Sequence, residues 1–234
     1  MPITVTIYLF PDVEVLDFAG PYEVFTTASR VFKRRNPGSD EPFRVITAAR
    51  TQNVVRARAG LNVLPDFSLQ NCPATDLLVV PGGVVDNEVS DAQVIDWVRT
   101  RSREAAITAS VCTGAFILAK AGLLQDRAAT THWEDIEDLR AQFSNVLVRE
   151  GVRWIDEGEI VTSAGIAAGI DMSLHLVSRI AGAELAVATA RQLEVPYSDA
   201  VGTGITPRPP HRSVRAELPH TAPASGANDQ TPPK

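Results

Sequence analysis

Four short apolar runs alternate with segments of helical periodicity, and this alternation leaves few architectures open. The runs are "ITVTIYLF" (3–10), "FRVITAA" (43–49), "DLLVV" within 76–83, and "AITASV" (106–111). Each has strand length, and β-branched residues dominate. The first and third read as buried strands, covered on both faces, and the fourth is an alternating run of mostly small residues. The intervening segments have helical spacing. In "LDFAGPYEVFTTASRVF", Leu16, Phe18, Val24, Phe25 and Val31 supply an apolar face, and Pro21 suits a first turn. A helix is expected over 91–104, with Val94, Ile95 and Val98 inward, and another over about 113–121. Strands alternating with helices imply an α/β fold with a mainly parallel sheet between two helical layers.

Less regular elements complete the pattern. Residues 54–66 read as short strands around a turn at Gly60, and "RAATTHW" (127–133) as another strand before a helix at 134–142. A hairpin is expected over 152–165, turning at Asp156-Glu157-Gly158, followed by helices at 168–181 and 183–193. The character of the chain changes near Pro196. Eight of its 16 prolines fall in the last 39 residues, and no apolar periodicity continues there. The expected division is a domain over 1–196 and a Pro-rich, disordered tail over 197–234.

Charge and composition exclude several classes of function. The net charge is −6, and the densest basic run, "FKRR" (32–35), is a solvated helix end rather than a nucleic-acid surface. The N-terminus has no basic signal region, and no apolar run is long enough to span a bilayer. Two cysteines form no disulfide framework, so a cytoplasmic location is expected. Cysteine and histidine spacing offers no metal site.

The chemistry concentrates at Cys112. In "AITASVCTGAFILAKAGLL" it stands at the joint between a strand and a helix. A free cysteine in an apolar run usually packs as a small hydrophobe. Here Thr113 and Gly114 follow at once, and they suit a turn better than a core. A sharp strand-to-helix turn lifts a side chain out of the core at the carboxyl edge of the sheet, where α/β proteins bind ligands. A helix N-terminus beside the sulfur is expected to favour its thiolate. Two further segments end at the same edge. Pro81-Gly82-Gly83 closes a strand, and its free amides would suit an anion or be an ordinary turn. Asp17 follows the first strand and is read either as a helix N-cap or as a carboxylate beside the thiol.

Taken together, "LDFAGPYEVF" (16–25), "CPATDLLVVPGG" (72–83), "SVCTGAFILAKAGLLQDRAATTHW" (110–133) and "TSAGIAAGIDMSLHLV" (162–177) resemble the ThiJ/PfpI superfamily. The superfamily is related to class I glutamine amidotransferase domains. The resemblance implies a three-layer, flavodoxin-like sandwich with a strand–nucleophile–helix elbow. Two branches carry this version: isonitrile hydratases, and the ligand-binding domain of AraC-type transcriptional regulators. A regulator needs a helix-turn-helix region after this domain, whereas a Pro-rich stretch follows here. The hydratase branch is therefore the expectation, with a non-enzymatic small-molecule or redox sensor as the alternative.

The hydratase resemblance implies Cys112 as nucleophile, Asp17 as acid and base, and Thr113 as the adjacent polar partner. It implies an anion site at the amides near Gly83 and Thr113, with Gly82 and Gly114 beside them, a small-molecule substrate, no cofactor, and a homodimer. Protease-like members have histidine where this chain has Thr113, and glyoxalase-like members have glutamate where it has Asp17. His132 matches the branch as a substrate contact, but a buried, hydrogen-bonded histidine with Trp133 packing nearby is the favoured reading. Cys72 and Glu23 are expected to be structural and solvated, respectively. Ala19, Ala115, Ala164 and Ile166 suggest a small hydrophobic substituent on the substrate.

Overall fold

The first apolar run becomes β1 (Ile3–Tyr8), and its last four residues are buried. The computed structural model describes residues 1–197, so the tail expected over 197–234 lies outside the described residues save for its first residue. After β1 come α1 (Val15–Arg35), β2 (Phe43–Ala49) and the small pair β3 (Val55–Arg56) and β4 (Asn62–Val63). Next are β5 (Phe67–Ser68), β6 (Leu77–Val80), α2 (Asp86–Ser90) and α3 (Ala92–Glu104). Then follow β7 (Ile107–Val111), α4 (Gly114–Lys120), β8 (Ala128–Ala129), α5 (Ile136–Gln142) and β9 (Leu147–Val148). The hairpin β10 (Trp154–Asp156) and β11 (Ile160–Ser163), then α6 (Ala168–Ala181) and α7 (Ala183–Leu193), complete the described chain.

The main sheet has seven strands in the order β10-β11-β7-β6-β1-β2-β5. Only β10 runs antiparallel, because a tight hairpin joins it to β11. Residues of β7 alternate between two helical layers, as the pleat requires. Val111 packs on Gly169 of α6. Thr108 faces the other way and donates to the Ser102 hydroxyl of α3. Helices therefore cover both faces, and the fold is a three-layer α/β sandwich. Its central strands are fully buried, with Val5, Ile7, Leu77, Val79, Ala109 and Val111 at 0% exposure.

Several local expectations are corrected. Helix α1 begins at Val15, so Pro21 lies inside it rather than in its first turn. A proline nitrogen has no hydrogen to donate four residues back, so that turn lacks a bond to the Asp17 carbonyl. Leu16 is turned outward, at 37% exposure. The strand expected over 127–133 shrinks to β8, which pairs with β9 in a separate small sheet. Helix α2 was not expected. Its Glu88 is 1% exposed, accepts from the buried Tyr8 hydroxyl and pairs with Arg50 at 2.9 Å. Arg50 also reaches Asp91, whose side chain caps α3 by accepting from the amides of Gln93 and Val94. That network, buried at Tyr8 and Glu88 and partly exposed at Arg50 and Asp91, docks a five-residue helix too short for its own propensity to read.

Candidate active site

The carboxyl ends of four adjacent strands, β11, β7, β6 and β1, deliver the chemistry to one edge. Cys112 follows β7 directly and has a φ of +57°. That left-handed conformation is costly for a residue with a Cβ, about 1–2 kcal/mol. It is held because the Cys112 N–H donates to the Ser163 carbonyl at 3.1 Å and its carbonyl accepts from the Thr131 hydroxyl at 2.9 Å. The elbow expected from Thr113 and Gly114 is therefore present. Gly114 is buried, and a methyl there would strike the Val80 and Pro81 carbonyls. Its lack of a side chain allows close packing of α4 on β6.

Asp17 sits at the third position of α1 and is 0% exposed. It does not cap the helix; the capping position is Glu14. Its carboxylate accepts from the Gly82 amide at 3.1 Å and the Ile166 amide at 3.2 Å, and it lies beside the Cys112 thiol. Burial pushes the Asp17 carboxyl up to about 6, and Glu14 adds to the rise, against the pull of the two amides and the thiol. Burial, then the Asp17 carboxylate, push the Cys112 thiol up to about 12, against the pull of the Thr113 amide. The expected low-pKa thiolate is thus corrected. Desolvation and a neighbouring carboxylate outweigh the end of the seven-residue α4. The resting pair at neutral pH is a protonated thiol beside a carboxylate.

The Gly82 and Gly83 amides are not free for an anion, contrary to expectation. Gly82 serves Asp17, and the Gly83 amide donates to Thr113 Oγ1 at 2.9 Å. The Thr113 hydroxyl in turn donates to the Gly83 carbonyl at 2.9 Å. A Cβ on Gly82 would lie 2.6 Å from the Thr113 nitrogen and 2.8 Å from Cys112 Cβ, so only glycine admits the elbow. These amides fix the acid and the turn rather than receive a ligand.

An open cleft of about 470 Å³ lies above the sulfur. Cys112, Thr113, Gly83, His132, Trp133 and Ile166 line it. His132 is partly buried, and its Nδ1 accepts weakly from the Glu134 amide at 3.4 Å and faces Asp135 at 3.4 Å. Trp133 tilts beside it but is 62% exposed. Glu14, Arg58, Glu134 and Asp135 form a charged rim. Of the residues taken to favour a small apolar substituent, only Ile166 lines the cleft, and Ala115 is fully buried. Glu23 pairs with Arg30 at 2.7 Å on the surface, and Cys72 is buried, as expected.

Sequence reasoning missed Thr131, and it named Ile166 only for its side chain and not for its backbone amide. Ile166 has a φ of +55°, an outlier for a β-branched residue, and this turn aims its amide at Asp17. Only the run "SAGIAAG" hinted at an unusual turn there. Among the described residues, no group of three or more His, Cys, Asp or Glu is placed to hold a metal ion. No helix among them is long and apolar enough to cross a membrane.

Burying Asp17 makes stability depend on pH. The folded pKa exceeds the ordinary 3.8, so the contribution is full below about pH 4 and is lost as pH rises through about 6. The loss approaches roughly 3 kcal/mol. Denaturant melts of the native protein and Asp17→Asn across this window should show their difference changing by up to that amount. A constant difference would mean that Asp17 does not titrate in this range.

Residues 3–179 match the DJ-1/PfpI family. The chain is 33% identical over 195 residues to the isonitrile hydratase of Pseudomonas putida, spanning 83% of this chain and 79% of that protein. It is 29% identical over 187 residues to the transcriptional regulator GbdR of Pseudomonas aeruginosa. That match spans 80% of this chain but only 49% of the regulator. A ThiJ/PfpI family crystal structure from Pseudomonas syringae superposes with a TM-score of 0.72 at 26% identity, covering 87% of this chain and 81% of that one. Drosophila melanogaster DJ-1beta shares the fold at a TM-score of 0.70 and 21% identity, over 84% of this chain and all of that one. With the elbow at Cys112 and the sheet order in place, the match over residues 3–179 establishes that the chain belongs to the DJ-1/PfpI family.

Proposed function

We propose that the protein hydrates an isonitrile, R–N≡C, to the N-substituted formamide. The observation that carries this reading is a buried Asp17 carboxylate, 0% exposed and with its pKa pushed up to about 6, beside the Cys112 thiol. Such a carboxylate takes a proton from the thiol and returns it near neutral pH. The similarity to an isonitrile hydratase supports the choice of substrate.

In the first step Asp17 accepts the thiol proton, the sulfur bonds to the terminal carbon, and Asp17 delivers the proton to that carbon. The product is a thioimidate, R–N=CH–S–Cys112. A water then adds to the same carbon while Asp17 takes its proton and passes it to nitrogen. Collapse breaks the C–S bond, and the remaining hydroxyl proton returns to sulfur through Asp17. One water is consumed, and the formamide leaves. Thr113 and the Gly82–Gly83 turn hold the elbow and the acid, and His132 lines the space above the sulfur. The reading assigns no step to a metal ion or organic cofactor. It takes the protein as a cytoplasmic homodimer.

Steady-state turnover of a simple alkyl or aryl isonitrile tests the reading, with formamide measured directly. Formamide production no faster than without protein would overturn it. The productive form has Asp17 ionised and Cys112 protonated. Accordingly, kcat/KM is expected to rise with pH through about 6 and then stay level, since the thiol loses its proton only near 12. A rate that keeps climbing through the alkaline range would indicate instead that a free thiolate is the reactive species.

A second reading has its own support. The similarity to GbdR covers the length of this domain and about half of that regulator. On this reading the cleft binds a small molecule without turnover. Saturable ligand binding by a protein that produces no formamide would favour it.

A further inference from the structure

We propose that Thr131 is a positioning residue for Cys112, acting through the peptide group that joins Cys112 to Thr113. Thr131 is 0% exposed, so it touches no substrate. Its hydroxyl donates to the Cys112 carbonyl at 2.9 Å. That carbonyl and the Thr113 N–H are the two ends of one planar peptide unit, so holding one end orients the other. The Thr113 N–H end acts on the Cys112 sulfur in the sense that favours its anion. The carbonyl's other contact, from the Ala115 amide, is longer at 3.3 Å. A buried side chain from a different segment thus fixes the direction of the backbone dipole at the nucleophile. It also braces the left-handed Cys112 backbone, which relaxes toward φ < 0 if released.

The charged and titratable groups facing the sulfur all remain in the chain when Thr131 is substituted. They are Asp17 on α1, His132 and Asp135 on the turn after Thr131, and Glu14, Arg58 and Glu134 at the rim. The inference rests on Cys112 as the reactive group but not on the identity of the substrate.

Alkylation of Cys112 by iodoacetamide tests it, followed as a function of pH by peptide mass spectrometry so that Cys72 is read separately. Thr131→Val keeps the shape and removes the hydroxyl. It is expected to slow Cys112 alkylation roughly tenfold, the scale of one lost hydrogen bond, and to shift its pH midpoint upward. Thr131→Ser should restore native behaviour. If the valine variant does not fold, Thr131→Ala carries the same expectation, with folding checked by circular dichroism. With an isonitrile as substrate, kcat should fall while KM stays nearly constant. A folded hydroxyl-deleted variant whose alkylation rate and pH midpoint match the native protein would overturn the proposal, whatever its melting temperature. If the native protein hydrates no isonitrile but the alkylation difference is present, the hydratase reading fails and the role of Thr131 stands.

Discussion

Asp17→Asn is expected to lower isonitrile turnover by on the order of a hundredfold or more, the usual scale for losing a general acid and base. The fold should survive. Asparagine has the same shape but one acceptor oxygen, so it can still accept from one of the two amides that Asp17 binds, those of Gly82 and Ile166. The other amide then faces an NH₂ group, at a cost of about 1–3 kcal/mol. Neutral asparagine cannot take the thiol proton, so the chemical step loses its base and its acid together. Turnover and denaturant melts measured side by side separate this from a structural role. A folded Asp17→Asn protein with near-native turnover would remove Asp17 from the mechanism.

Cys112→Ala is expected to reduce turnover to the uncatalysed background, a loss on the order of 10⁶-fold if removal of a covalent nucleophile sets the scale. Alanine keeps a Cβ and therefore the same left-handed backbone, with Thr131 and Ser163 still holding its carbonyl and amide. The fold is expected to persist. Acid quenching of the native protein during turnover should trap a mass increase equal to one isonitrile on the peptide containing Cys112. The alanine variant should show none. Residual turnover in the variant above background, or an adduct on Cys72 instead, would place the chemistry elsewhere.

The architecture was legible because the buried strands announce themselves. "LLVV" (77–80) is apolar on both faces, and "AITASV" sets only small hydroxyl side chains against its apolar ones, as a sheet covered on both sides allows. Cys112 was legible for a related reason: a turn must interrupt two apolar segments, and Thr113-Gly114 is where it can. The electrostatics were not legible. The expected thiolate assumed an exposed sulfur at a helix end, whereas the folded sulfur is buried against a carboxylate, and burial is a property of the whole fold. The free amides at Gly82 and Gly83 failed for the same reason, since their partners lie 65 and 30 residues away. The weak strand expected in "RAATTHW" was over-read, because the Thr130 amide donates to the Thr162 hydroxyl and the Thr131 hydroxyl to the Cys112 carbonyl rather than extending β8.

The four strands that carry the site pair directly and in parallel, β11 with β7, β7 with β6, and β6 with β1. Asp17 and the Ile166 amide that it binds are 149 residues apart. Contacts of such long range form late, because loop closure must precede them, and parallel pairing is slow for this reason. No fragment of the chain can therefore hold a working pair of acid and thiol. During refolding, reactivity at Cys112 reports completion of the central sheet rather than formation of any local segment. A newly made chain holds its sulfur away from its proton partner until nearly the whole domain has assembled.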